Sequence, residues 1–278
     1  MSTGLMSAKS ALFLVCIIVL SACSSTAEKT RKRQSELYFG AGTQSLMTQD
    51  YTNALTNLIK ANKLDPNNPE ILNNLGMAYY FKGEKNLCLK TLKKTLDLDE
   101  NNSDAKLNLA SIYFQDGDLN QAEKLYKSVL KNLTYERQAR TLYNLGILEI
   151  KRNNITAAAN YFDKAIKEDS NYCPAFYQLG LLNYNRNQFN TALKNFREAT
   201  MGTCYESPAA HYHLGLTYRN LKRFNEARMK FDEIDARFKE TEYAAMARKK
   251  TMELGEVENN ALIEETHASR KVLESPEF

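Results

Sequence analysis

The chain has 278 residues, with 43% apolar and 25% charged, which is enough for one or two ordinary globular domains. A formal net charge of +4 is too small for strong steering onto nucleic acid and argues against that class of partner. With 16 Tyr, 12 Phe, no Trp, 5 Pro and no run of alternating β-branched residues, the composition points to an all-α chain.

The first 22 residues read as an export signal. Lys9 precedes a ten-residue apolar run, Ala11 to Leu20, and then comes Leu20-Ser21-Ala22-Cys23. About 20 apolar residues would be needed to span a bilayer, so the run fits a secretory leader. Met6 would give a more usual leader length than Met1. The quartet resembles a bacterial lipobox; the alternative is an ordinary cleaved signal with a chance cysteine. The resemblance implies cleavage before Cys23 and covalent lipid on that residue, the one non-protein group expected; no metal or other cofactor is. More than one acyl chain would anchor the protein firmly. Ser24 follows in place of Asp. By the sorting rule of such lipoproteins, that implies the outer membrane, facing the periplasm.

Residues 23–34 are small, polar and basic and can bury little, so a flexible tether is expected. Lys29, Arg31, Lys32 and Arg33 either touch anionic headgroups or, the more ordinary state, are simply solvated.

From residue 35 to 240 the chain repeats. Small residues stand at Gly42, Gly76, Ala110, Gly146, Gly180 and Gly215, spaced by 34, 34, 36, 34 and 35. Twelve residues after each comes Ala54, Cys88, Ala122, Ala158, Ala192 or Ala227. Four further on comes Leu58, Leu92, Tyr126, Phe162, Phe196 or Phe231. This is similar to the tetratricopeptide (TPR) pattern, and the resemblance implies a right-handed solenoid of six helix-turn-helix repeats. The eighth and twentieth positions must be small where two helices cross. The bulky twenty-fourth is expected to fill space against the next repeat. Residues 241–278 are expected to supply a capping helix, with a loose polar stretch from about Gly255 to Phe278.

No catalytic constellation stands out, and an enzyme is not expected. His211 and His213 are two apart on a predicted helix and face different directions, and His267 is alone. Neither a zinc-protease motif nor a Gly-rich phosphate loop occurs. Cys88 takes a small core position, where a thiol behaves as a small hydrophobe.

Cys173 opens repeat five and Cys204 stands at its thirty-second position. Both ends of an antiparallel hairpin lie together, and the exported compartment is oxidising, so a disulfide is expected. Two free thiols or a redox pair are the alternatives.

In tetratricopeptide folds the first helix of each pair lines a concave face. Its inward positions give Phe39, Asn74, Tyr80, Asn108, Phe114, Tyr143, Asn144, Tyr177, Tyr184, Tyr212 and Arg219. The aromatics either anchor a protein partner or pack within a tight superhelix. The asparagines either bind an extended peptide backbone or are generic to the repeat.

A lipobox, a basic tether, six repeats and little else resembles the type IV pilus biogenesis lipoproteins, the pilotins of the PilF, PilW and Tgl type. "DARFKETEYAAMAR" (235–248) is similar to their closing segment, with Lys239 and Thr241 replacing its proline and serine. The resemblance implies a monomer that binds a secretin subunit and promotes its outer-membrane localisation and multimer assembly. A lipoprotein scaffold for peptidoglycan enzymes, or for another envelope export or assembly machine, is the alternative.

Overall fold

The computed structural model describes the backbone of residues 8–256 and the side chains of residues 28–256. The side chain of Cys23, and residues 1–7 and 257–278, lie outside the described residues. The chain divides into two compact units, Met1–Asn132 and Leu133–Phe278. Among the described residues every regular element is helical.

The first unit holds α1 (Ala8–Met47), α2 (Tyr51–Leu64), α3 (Pro69–Phe81), α4 (Lys85–Leu98), α5 (Ser103–Gln115) and α6 (Leu119–Val129). They pair as hairpins α1/α2, α3/α4 and α5/α6, and each hairpin stacks on the next. Caps explain the starts. Asn68 accepts hydrogen bonds from the Glu70 and Ile71 amides, with Pro69 at the first helical position. Asp50, Asn102 and Asp118 cap α2, α5 and α6 in the same way.

α1 departs from the expected tether. The helix runs unbroken through residues 23–34, because no Gly or Pro occurs between Ala8 and Phe39 and helix formers dominate Ala27 to Gln34. Among the described residues, no helix is long and apolar enough to cross a membrane.

The second unit holds α7 (Gln138–Lys151), α8 (Ile155–Glu168), α9 (Cys173–Asn185), α10 (Phe189–Glu198), α11 (Pro208–Asn220) and α12 (Phe224–Arg237). A further helix, α13, spans 242–256 and buries Ala247 and Leu254 in one core with Phe231 and Ile234. The first two residues of the expected loose tail, Gly255 and Glu256, therefore continue a helix. α10 is a turn shorter than α8 and α12, and the chain it releases forms a loop with one 3-10 turn, Gly202–Cys204.

The twenty-fourth side chain packs against the next repeat as expected: Leu58 shares a core with Leu75 and Ala78, Leu92 with Ala105 and Leu109, and Phe196 with Leu214. It also sits on the small eighth residue of its own repeat. A Cβ added at Gly42, Gly76, Gly146, Gly180 or Gly215 would come within 2.9 Å of Leu58, Leu92, Phe162, Phe196 or Phe231 respectively. All five of those side chains are fully buried. Glycine is required there because a leucine or a ring occupies the space of the missing methyl. Repeat three carries Ala110 instead, and its ring, Tyr126, places its hydroxyl 3.1 Å from Ser111 Oγ.

Each hairpin turns through the same device. The fifteenth position of every repeat has positive φ: Gln49, Gly83, Gly117, Asn153, Asn187 and Lys222, between 58° and 83°. A left-handed residue lets the chain reverse in a few residues and reach the next helix start.

Candidate functional site

In the first unit the first-helix positions are bound to one another. Asn108 Nδ2 donates to Asn73 Oδ1 (3.0 Å), Asn73 Nδ2 to Asn74 Oδ1 (3.2 Å), and Asn74 Nδ2 to Thr43 Oγ1 (2.9 Å). This amide chain crosses three hairpins. It engages Asn74 and Asn108, which the sequence offers as peptide ligands, in holding neighbouring helices. Phe39, Tyr80 and Phe114 are half-buried, and the Tyr80 hydroxyl donates to Gln115 Oε1. Tyr51 and the exposed Phe81 stack with centroids 4.5 Å apart.

The second unit gathers rings instead. Tyr177, Tyr184, Phe196 and His213 form one cluster, with His213 stacked on Phe196 at 5.7 Å and Tyr177 edge-on to His213 at 5.6 Å. His213 Nδ1 lies 2.9 Å from the Ala209 carbonyl oxygen, which only accepts, so that nitrogen carries the hydrogen. The Tyr177 hydroxyl is 3.3 Å from the same nitrogen. Asn220 Nδ2 donates to the Tyr184 hydroxyl at 2.7 Å. Tyr143 meets Tyr172 edge-on at 5.7 Å. Burial pushes Tyr172 and Tyr177 up to about 12, and it lowers His213 below its ordinary value. At neutral pH Tyr172, Tyr177 and His213 are uncharged, and with Tyr184 they form half-buried rings with polar tips around the fully buried Phe196, the kind of surface that anchors protein partners.

Two positions behave unequally. Arg219 reaches Glu253 of α13 at 3.5 Å and stays half-exposed. Tyr212 is only 4% exposed, so its expected place on an open face is corrected: it packs on Phe231 and Tyr243. The cause is the first turn of α13, whose Tyr243 covers the position that lies half-open as Tyr143 and Tyr177 in repeats four and five. Asn144 is half-buried.

Beside the ring cluster Cys173, at the start of α9, is disulfide-bonded to Cys204 in the loop after α10, with Cα atoms 5.4 Å apart. Cys88 is buried, and burial raises its thiol to about 11, which keeps it unreactive.

Sequence reasoning missed a polar knot beyond the disulfide. Tyr205 donates its hydroxyl to Glu233 Oε1, and its carbonyl accepts from Nε2 of the fully buried His211 (2.9 Å). His211 Nδ1 has no hydrogen-bond partner and faces Glu233 at 4.0 Å. Burial would raise the Glu233 carboxyl, but hydrogen bonds from Lys230 (2.7 Å) and Tyr205 hold it below its usual value. Arg237 covers the Tyr205 ring at 4.1 Å. The four groups come from three elements and share no spacing that a sequence would display.

Tetratricopeptide-repeat family models match residues 48–83, 69–102, 102–167 and 177–239, so most of the described repeat region carries that motif. No curated protein sequence matches the chain. Among solved structures, the chain is similar to PilF of Pseudomonas aeruginosa, with TM-score 0.67 and 16% identity, covering 80% of this chain and 99% of that one. It is also similar to PilW, a type IV pilus biogenesis factor, with TM-score 0.63 and 18% identity, over 76% of this chain and 97% of that one. The Cut9 structure of the anaphase-promoting complex gives 0.64 and 16%, over 78% of this chain and 43% of that one. At these identities the likeness is one of fold.

Proposed function

We propose that this chain is a lipid-anchored protein of the bacterial outer membrane that serves type IV pilus biogenesis as a pilotin, binding a secretin subunit and promoting its multimer assembly. The observation that carries this reading is the combination of a lipobox at Cys23 with tetratricopeptide repeats whose extent matches nearly the whole length of PilF and PilW. A fold likeness alone does not choose, since Cut9 scores equally well. The lipobox separates an envelope protein from a cytosolic scaffold.

In this reading the ring cluster of the second unit, around Tyr177 and Tyr184, is the docking surface. The Cys173–Cys204 disulfide keeps it rigid before the partner arrives, which lowers the ordering cost of binding. The lipid on Cys23 holds the complex at the membrane.

Deletion of the gene tests the reading. Denaturant-resistant secretin multimers should be lost or sharply reduced. Normal multimers in the deletion strain would remove the pilotin role and leave the scaffold for peptidoglycan enzymes or another envelope machine as the working alternative. Palmitate labelling, present in the wild type and absent in Cys23→Ser, checks the anchor separately. Ser24→Asp should move the protein to the inner membrane.

A further inference from the structure

The second helices of the first unit, α2, α4 and α6, all bury one side. Positions twenty and twenty-four, Ala54 and Leu58, Cys88 and Leu92, Ala122 and Tyr126, are 0–2% exposed. At about 100° per residue, positions twenty-two, twenty-five, twenty-six and twenty-nine lie opposite that side. In the first three repeats these twelve positions hold eight lysines and a single carboxylate, Asp97. Lys60 and Lys63 come from repeat one, Lys90, Lys93 and Lys94 from repeat two. Repeat three adds Lys124 and Lys127 on α6 and Lys131 in the turn just past its end; Lys127 pairs with Glu123 at position twenty-one. All eight are exposed.

The second unit supplies the comparison. Its twelve equivalent positions hold four basic residues, Lys164, Lys167, Lys194 and Arg197, against four acidic ones, Asp163, Glu198, Asp232 and Glu233. A face that the fold leaves open is charge-balanced in one unit and strongly basic in the other. Apart from Asp97 on α4 and Glu123 on α6, no carboxylate lies within these three helices; others of the first unit sit at turns and caps such as Asp50, Asp65, Asp99 and Asp118.

We propose that the lysine face of α2, α4 and α6 rests on an anionic lipid surface. The chemistry selects that partner. Every basic group on the face is lysine, a flexible point charge, and none is the arginine fork that grips individual carboxylates or phosphates in a fixed geometry. Lysines spread over three helices with no receptor-like geometry suit a diffuse, laterally mobile array of negative charge, and each contributes near such a surface. The same unit also begins with the exposed Lys29, Arg31, Lys32 and Arg33 on α1, so its N-terminal end and its outward face carry the same sign. This inference does not rest on the secretin reading.

The test is co-flotation of the full chain with vesicles of phosphatidylcholine alone or with phosphatidylglycerol added. The apolar N-terminal run will bind both, so the quantity read is the excess on anionic vesicles, at low and high salt. The wild type should show an excess that salt removes. Charge reversal of Lys90, Lys93, Lys94, Lys124 and Lys131 to Glu should lower that excess at least about tenfold. These sites are exposed and Glu is a good helix former, and an unchanged helical circular dichroism signal verifies folding. Reversal of Lys164, Lys167 and Lys194 should leave the excess intact. The proposal is overturned if the wild type shows no excess, if the five-site variant keeps it, or if reversing Lys29, Arg31, Lys32 and Arg33 alone abolishes it. An acidic protein as the true partner would appear as the first or second of these outcomes.

Discussion

The two units share one repeat register and use it to opposite ends. In the first, leucines lie on the helix-crossing glycines, amides link neighbouring first helices, and the outward face is basic. In the second, phenylalanines lie on the glycines, tyrosines and a histidine gather on the first helices, a disulfide closes one hairpin and the outward face is balanced. The lesson is that positions eight, twenty and twenty-four build the hairpin, while the positions between them are available for a surface. A chain can therefore carry two different surfaces on one scaffold without changing the scaffold.

The comparison can be broken most severely at the packing positions. Phe196→Ala in the second unit and Leu92→Ala in the first should each cost about 3–5 kcal/mol, because each empties a fully buried site against a glycine that cannot fill it. Urea unfolding measures both, and a loss below about 1 kcal/mol at either would mean that the crossing is not held by that contact. The next effect belongs to the second unit alone. Replacing Cys173 and Cys204 by Ser removes a cross-link over 31 residues. That should cost about 3–4 kcal/mol on the chain-entropy account. Probes in the first unit should report no change.

Acid should also separate the two units. Burial lowers both His211 and His213 below their ordinary 6.5, so the unfolded chain takes up protons first as pH falls. Their contribution is complete above 6.5 and is lost as pH falls from there toward the folded values, by up to about 1.4 kcal/mol per pH unit for each. Glu233, Lys230 and Arg237 face His211, and Glu233 moderates its shift. A second unit whose stability is flat from about pH 7 to pH 5 would contradict this. The smallest effect lies in the amide chain. Asn73→Ala should weaken the first unit by about 1 kcal/mol, through its bonds to Asn108 and Asn74. Backbone amide exchange around Asn108 offers a local check.

Much of the fold was legible because a helical hairpin repeated six times writes the same small residues at the same spacing. The second contact of the twenty-fourth side chain was not, since spacing places it on a helix face without saying that it meets its own glycine as well as the next hairpin. Residues 23–34 suggest a tether because their small, polar and basic side chains can bury little, yet local propensity suffices to keep the segment helical. Tyr212 looked like Tyr143 and Tyr177 because all three stand at the fifth position. Only the first turn of α13, outside the repeat, tells them apart. The knot of Tyr205, His211, Glu233 and Arg237 depends on a loop that exists because α10 stops a turn early.

One feature of the hairpin turns bears on how the protein comes apart. The left-handed fifteenth position is glycine in repeats two and three and asparagine in repeats four and five, residues that tolerate it. In the first and last repeats it is Gln49 and Lys222, where a Cβ and a long side chain make the same conformation cost about 1–2 kcal/mol. Within each unit, opening should therefore start at that hairpin: repeat one in the first unit and repeat six in the second.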